Sequence, residues 1–190
     1  MRVLAALTLV VAAGCGYHLA GRGAVPETAR TIEIRSFENR TPATGIDVQL
    51  HNAVEDEFRR HGLLRVVEEG EGDVALTATV TGFEAYPVTA SGLDEPLQYL
   101  VVIRARFALT ERETGKTLYE NRTLSEQVDF ASVSGVVIPS SPHFQRGTMN
   151  VRDLIDLTNA QLGDTRRREA TGDLVKSLAR DIYSQTMEGF

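Results

Sequence analysis

The chain has 190 residues, long enough for one ordinary domain with a buried core. Its 26 acidic side chains outnumber its 20 lysines and arginines and give a formal net charge of −6, which argues against nucleic acid as a partner. Cys15 is the only cysteine, so an internal disulfide and the cysteine-based metal patterns are excluded.

The N-terminus has the pattern of a secretory signal peptide. Arg2 gives it a positive start, residues 3–13 carry no charge, and Gly14 provides a small residue before Cys15. The uncharged stretch is shorter than the roughly 20 residues that a membrane-spanning helix needs. A buried core helix is the alternative, but the glycines beside Cys15 would break it. We therefore predict that residues 1–14 are a signal peptide, cleaved between Gly14 and Cys15.

The position of Cys15 resembles the lipobox of bacterial lipoproteins, in which a peptidase cuts before a lipidated cysteine. Ala12 replaces the usual leucine three places earlier, and a free thiol beside an ordinary cleavage site is the alternative. Each lipid methylene buried in a membrane contributes roughly 0.8 kcal/mol, so the acyl chains of a lipoprotein hold it firmly. Gly16 stands where aspartate would favour the inner membrane. We expect a covalent lipid on Cys15, no other cofactor, and an anchor on the periplasmic side of the outer membrane.

A tether, a strand and a helix are predicted next. Residues 15–30 contain glycines and a proline and should form a lipidated tether. Residues 31–35 alternate between apolar and polar side chains, which predicts a strand ending near Phe37. Residues 39–42 are predicted to form a turn or loop.

The helix is the clearest local pattern in the sequence. Thr44 and Asp47 resemble a capping box, in which side chains satisfy the first free backbone amides. Gly62, preceded by basic residues, should end the helix. Apolar residues recur every three or four positions and therefore share one face; they are Ile46, Leu50, Ala53, Val54 and Phe58.

Alternating apolar and polar residues predict further strands. The acidic, glycine-bearing residues 68–72 should form a turn, and residues 113–116 a hairpin turn between the last two strands. The strands are expected at residues 63–67, 74–88, 97–109 and 117–128.

A long loop and more helix complete the chain. Serine, glycine and proline residues mark 129–149 as a loop, and loops of this length in compact domains are usually functional or disordered. Residues 151–157 suggest a short helix. A separate long helix should begin near Thr165, because Leu174, Leu178 and Ile182 lie in one stripe.

Together these elements predict a single domain over residues 31–190 with an α+β fold. An antiparallel or mixed sheet of about four or five strands should have both helices packed on one face. The expected architecture is a two-layer sandwich.

The sequence contains no recognisable catalytic constellation. Motifs of zinc hydrolases, phosphate-binding loops and serine nucleophiles are missing, and the acidic clusters lack calcium-loop spacing. We expect neither an enzyme nor a metal protein, and we interpret the basic residues 166–168 as helix surface. The four histidines are scattered over the tether, the helix, its end and the long loop; they are His18, His51, His61 and His143.

Several short motifs, in order, resemble the LptE family of lipopolysaccharide-assembly lipoproteins. The resemblance covers about residues 14–128, and the terminal helix is compatible with it. The segment 129–162 departs from the family, being longer than the connection expected there. The motifs are residues 15–19 (CGYHL), the spaced set Ile32, Ile34, Phe37, Asn39 and Thr41, then Gly45-Ile46, residues 58–62 (FRRHG), Asp73-Val74-x-Leu76, and a long hairpin turning at Gly115.

The resemblance implies a protein without catalysis that sits as a plug in the barrel of LptD and helps to deliver lipopolysaccharide to the outer leaflet. Phosphates on lipopolysaccharide would favour rigidly mounted cations. The candidates are Arg104 and Arg106, on one face of the long strand at residues 97–109, and Lys116 and Arg122, at or near the hairpin.

Two alternatives accompany this interpretation. The four cations can simply be solvated side chains that balance the acidic residues of the hairpin, Glu111, Glu113 and Glu120. The rival function is that of an anchored periplasmic accessory lipoprotein of another transport or secretion system, which binds only protein partners.

Overall fold

The computed structural model describes residues 23–90, 96–131 and 151–188 of the chain. The predicted signal peptide, Gly14, Cys15 and most of the predicted long loop lie outside these residues. Within them, the elements follow in the order β1 (Thr31–Ile34), β2 (Glu38–Asn39), α1 (Ile46–His61), β3 (Arg65–Val67), β4 (Val74–Ala90), β5 (Pro96–Glu111), β6 (Thr117–Ala131) and α2 (Val151–Glu188).

The strands form one open mixed sheet in the order β3-β1-β4-β5-β6, with β2 also beside β4. Strand β1 pairs in parallel with β3 and with β4, and β2 pairs in parallel with β4. The long strands β4, β5 and β6 pair antiparallel. The α+β fold with two helices is therefore confirmed. Because β6 lies at the edge of the sheet, one of its sides has no neighbouring strand among the described elements.

The core lies between the helices and one face of the sheet, as the alternating patterns predict. Burying these apolar side chains stabilises the fold by about 25 cal/mol per Å² removed from water. Ala24 and the residues just before β1 join this core, since Val25 and Ala29 are buried and the Ala24 amide donates to Thr186 O at 3.3 Å. The largest apolar side chains that are almost fully buried are Ile32, Ile46, Leu50, Phe58, Leu64, Leu76, Ile103, Phe107, Leu109, Leu178 and Ile182.

The start of α1 differs from the prediction, and its end agrees. Gly45 is the N-cap residue, with a left-handed φ of 77°, and no side chain caps the first turn. The capping box of Thr44 and Asp47 was therefore wrong, because the glycine takes the capping position and leaves Thr44 one residue outside it. At the other end, Gly62 has φ 65° and its amide donates to Phe58 O at 3.0 Å, as expected of a helix that ends at glycine.

Three other boundaries are corrected. The short helix at residues 151–157 and the long helix from Thr165 are one continuous helix, α2. Strand β6 runs on to Ala131, so the first residues of the predicted loop at 129–149 belong to the sheet. Asn39, expected in a turn, is in β2, and its side-chain oxygen accepts a hydrogen bond from the Thr41 amide at 2.8 Å.

Candidate functional site

The face of the sheet opposite the helices is polar and carries three of the four predicted cations. Arg104 and Arg106 flank the buried Ala105 on β5, so both project from this open face, as the alternation predicts. Arg122 lies on the neighbouring strand β6 and is highly exposed. Lys116 lies elsewhere, in the β5–β6 turn.

Arg104 is neutralised by a partner on β4. Its Nη2 lies 2.5 Å from Glu84 Oε2, and the hydroxyl of Tyr86 donates to the same carboxylate. The hydrogen bonds from Tyr86 and Arg104 lower the pKa of Glu84 below its ordinary value, and the Glu84 carboxylate raises the pKa of Tyr86. The three side chains therefore form one cross-strand group whose net charge is zero at neutral pH.

Gly82 makes room for the Arg104 side chain. The two residues are partners in the β4–β5 register, next to a shift in the pairing of β4. A Cβ atom at Gly82 would lie 2.9 Å from Arg104 Nε. This role was not predicted from the sequence, although a glycine in the middle of an alternating strand indicates that another group approaches closely.

Arg122 is likewise paired, with a carboxylate on its own strand. Its Nε and Nη2 bond the two oxygens of Glu120 at 2.9 and 3.0 Å. This contact, with the nearby charge of Arg106, lowers the pKa of Glu120. Because both groups are well exposed, such a pair contributes little to stability, and its main effect is to cancel the charge of Arg122.

Arg106 is the cation of this face that keeps its charge available. Its guanidinium makes no hydrogen bond or ion pair within residues 23–90, 96–131 and 151–188, although the carboxylate of Glu120 is close enough to feel its charge. It is half-buried in a shallow groove of the open face, and the other polar or charged residues along this groove are Arg35, Ser36, Glu38, Glu69, Thr77, Thr79 and Glu120.

Lys116 is separated from this groove by its position in the turn. Gly115 has a left-handed φ of 68°, and the Lys116 carbonyl accepts a hydrogen bond from the Glu111 amide at 2.8 Å. The Lys116 amide donates to Thr114 Oγ1 at 3.2 Å, and the residue is exposed. The structure thus brings three of the four candidates to one face and leaves Lys116 at the end of the hairpin.

The two histidines within the described residues, His51 and His61, contact neighbouring residues of the fold. His51 Nδ1 is 3.2 Å from Arg35 O and contacts the Phe37 ring edge-on, while His61 stacks on Tyr183 at a ring distance of 4.3 Å. Across the described ranges, no cluster of three or more His, Cys, Asp or Glu side chains is arranged to hold a metal ion. None of the described helices combines the length and the apolar character that crossing a membrane requires.

Comparison with known proteins gives one family. The family model LptE, described as lipopolysaccharide-assembly, matches residues 29–186. None of the curated proteins matches this chain in sequence.

Solved structures with a similar arrangement of strands and helices include the following three. A PelC dodecamer variant from Paraburkholderia phytofirmans is 12% identical with a TM-score of 0.48, covering 88% of this chain and 91% of that one. A lipoprotein from Caulobacter crescentus is 10% identical, TM-score 0.45, with coverage of 80% and 87%. Rare lipoprotein B from Shewanella oneidensis is 14% identical, TM-score 0.37, with coverage of 79% and 96%. At these sequence identities and TM-scores, the similarities support no conclusion about function.

Proposed function

The chain belongs to the LptE family of lipopolysaccharide-assembly proteins, and we propose on that basis that it is an outer-membrane lipoprotein that plugs and supports the LptD barrel. In this proposal it is anchored on the periplasmic side by a lipid on Cys15 and performs no catalysis. The match over residues 29–186 is the observation that carries the proposal.

Two features of the chain support the proposal. The small residues before Cys15 resemble a lipobox, and a lipid anchor would hold the domain at the membrane that contains the barrel. The open face of the sheet carries charged side chains of which two pairs neutralise each other, Arg104 with Glu84 and Arg122 with Glu120. A surface of this kind suits the polar, hydrated interior of an outer-membrane barrel.

Co-purification from the native membrane tests the proposal. The tagged, full-length precursor should retain LptD through washing in detergent, because a plug is surrounded by its barrel. Recovery of only inner-membrane or soluble periplasmic proteins would contradict the proposal and favour the accessory lipoprotein of another system.

The anchor is tested separately with Cys15→Ser, which leaves the signal peptide in place. We expect the wild-type protein to remain with the outer membrane after LptD is depleted, and the variant to leave it, because only the lipid then holds the domain. A variant that still fractionates with the outer membrane under depletion would refute lipidation at Cys15 as the anchor.

Within this function, Arg106 is the first candidate for a contact with lipopolysaccharide phosphates. Arg106→Glu is expected to weaken retention of lipopolysaccharide in a pull-down by about tenfold, the size of one lost charge-assisted hydrogen bond. Arg104→Glu combined with Lys116→Glu is also expected to weaken this retention, and unchanged retention would exclude these two candidates. The matched control is Arg59→Glu on α1, an exposed arginine paired with Glu55. Equal losses from the Arg106 and Arg59 variants would exclude a specific contact at Arg106.

A further inference from the structure

A groove runs between α1 and α2 at the surface of the helix layer, with a cavity volume of about 550 Å³. Its floor is formed by small or buried residues, Ala53, Gly172 and Val175. Exposed polar side chains form its two rims, so the groove is open to solvent. The polar rim residues of this interhelix groove are Gln49, Asn52, Asp56 and Arg60 on α1, and Lys176 and Arg180 on α2.

Most of the polar groups on these rims are not used by the fold. The side chains of Gln49, Asn52 and Asp56 make no hydrogen bond or ion pair with the part of the chain that the structure describes, and the same holds for Arg180. Arg60, by contrast, is paired with a buried carboxylate of its own helix at 2.7 Å. The groove therefore presents donors and acceptors that a bound group can take without breaking contacts within the domain.

The two rims differ in charge and in hydrogen-bonding groups. Lys176 and Arg180 make the α2 rim positive. Asp173 lies 3.9 Å from Lys176 Nζ, but both side chains are highly exposed, and such contacts contribute little. The α1 rim offers the amide groups of Gln49 and Asn52, each of which can donate to a carbonyl and accept from an N–H. An extended polypeptide with acidic side chains matches both rims, with its carboxylates towards α2 and its backbone towards α1.

Asp56 and the shape of the groove favour a polypeptide over phosphate groups. The Asp56 carboxylate has no cation partner within the described residues, so it repels a phosphate, whereas it can accept a hydrogen bond from a backbone amide. From Gln49 to Arg60 the groove follows α1 for about 16 Å, the length of about five residues of extended chain. Gly172 leaves the floor open, because a Cβ atom there would meet no atom within 4 Å outside the backbone of its own helix turns.

We propose that the interhelix groove binds an extended acidic segment of a protein partner, with carboxylates of that segment on Lys176 and Arg180. Within the proposed function, on which the choice of partner rests, this partner is LptD. Attraction at the groove sets the orientation of docking, because the chain as a whole carries a net charge of −6 and its average field repels acidic groups. The groove is also separate from the candidate contact with lipopolysaccharide, since Arg106 lies on the face of the sheet opposite the helices.

Carbodiimide coupling of the full protein, purified in its complex with LptD, tests the proposal. The reagent joins a lysine amine to a carboxyl group in direct contact as an amide, and the carbodiimide takes up the water that is lost. Lys116 and Lys176 are the only two lysines of the chain, so the coupled peptide identifies the surface. Mass spectrometry should find Lys176 joined to an aspartate or glutamate of LptD.

Two variants alter the groove in different ways. Gly172→Gln places an uncharged side chain in it, Arg180→Glu reverses one charge of its rim, and each should lower the yield of the Lys176 cross-link severalfold. Gly172→Gln should be no less stable than the wild type in urea, because glutamine favours a helix more than glycine does. The matched control is Arg59→Glu, an exposed arginine of α1 that lines a different groove, and it should keep the wild-type yield.

A complex that retains LptD but gives no cross-link at Lys176 overturns the proposal, as does a yield that neither groove variant changes. It is also overturned if lipopolysaccharide protects Lys176 from an acylating reagent while no carboxyl group of LptD couples to it, since phosphate would then occupy the groove. Failure of the wild type to retain LptD is a different result, because it refutes the proposed function and the groove proposal together.

Discussion

Glu33→Gln is expected to lower the free energy of unfolding by about 2–4 kcal/mol at neutral pH, the usual cost of disrupting a buried hydrogen-bonded charge. The Glu33 side chain is fully buried on β1. Its carboxylate accepts hydrogen bonds from the Gly70 amide at 2.6 Å and from Arg35 Nε at 2.9 Å, with the Gly72 amide at 3.4 Å. The glutamine replaces one acceptor oxygen with a donor, so at least one of these groups loses its partner.

The same variant should change the pH dependence of stability. Burial alone would raise the pKa of Glu33, but the hydrogen bonds from Gly70, Arg35 and Gly72 outweigh it and hold the pKa below 4.5. A carboxylate with a lowered folded pKa stabilises the fold above its unfolded pKa and loses this effect as pH falls through the folded value. Urea unfolding at a series of pH values should therefore show the gap between wild type and variant narrowing below about pH 4.3.

Glu38→Gln is the matched control for this prediction. Glu38 is a strand glutamate close to Glu33 in sequence, but its side chain is 63% exposed and its ion pair with Arg40 is solvated. Such pairs contribute at most about 1 kcal/mol, so the loss should be small. Equal losses from the two variants would contradict the role assigned to the buried carboxylate.

Local periodicity was sufficient for the architecture. The alternation around Ile103 and Phe107 and the helical stripe through Leu50 and Phe58 are both buried as predicted, because side-chain direction follows directly from strand and helix geometry. Gly62 was recognised because a left-handed residue after a helix strongly favours glycine. Where a residue's role depends on its immediate neighbours in the chain, the sequence was enough.

Roles that depend on distant residues were not predictable in the same way. In sequence, Glu33 is an ordinary polar position of an alternating strand, and residues 68–72 are an ordinary solvated acidic turn. Only the tertiary fold brings them together and turns Glu33 into the buried acceptor for Gly70. The charges of Arg104 and Arg122 were likewise visible, but their pairing with Glu84 and Glu120 depends on strand register and rotamers.

In the terminal helix, by contrast, a break was predicted that the structure does not have. A short helix at residues 151–157 and a separate long helix from about Thr165 were expected, but α2 continues from Val151 to Glu188 and includes Gly163. A glycine inside a helix costs only about 1 kcal/mol relative to alanine, which the surrounding helix can absorb. A local penalty of this size indicates a weak point, and it does not by itself end a helix.

Gly72→Ala is expected to destabilise the protein by about 3 kcal/mol, the upper range for forcing extra atoms into a packed region. A Cβ atom at Gly72 would lie 2.5 Å from the backbone nitrogen of Glu33 and 2.8 Å from the carbonyl oxygen of Val74. Both are backbone atoms of paired strands, since Glu33 lies in β1 and Val74 opens β4. Relieving the contact requires β1 to move away from β4, and Arg112, whose Nε donates to Gly72 O at 2.7 Å, would be displaced as well.

Gly172→Ala makes the same chemical change where the surroundings permit it, and should have the opposite effect. Gly172 lies inside α2, and a Cβ atom there meets no atom within 4 Å outside the backbone of its own helix turns. Alanine in a helix interior is more stable than glycine by about 0.5–1 kcal/mol, because it restricts the unfolded chain and favours the helix. Urea unfolding of both variants measures the contrast. Variants that changed stability in the same direction would show that the effect comes from losing a glycine in general, and the close approach of Gly72 to β1 would no longer explain it.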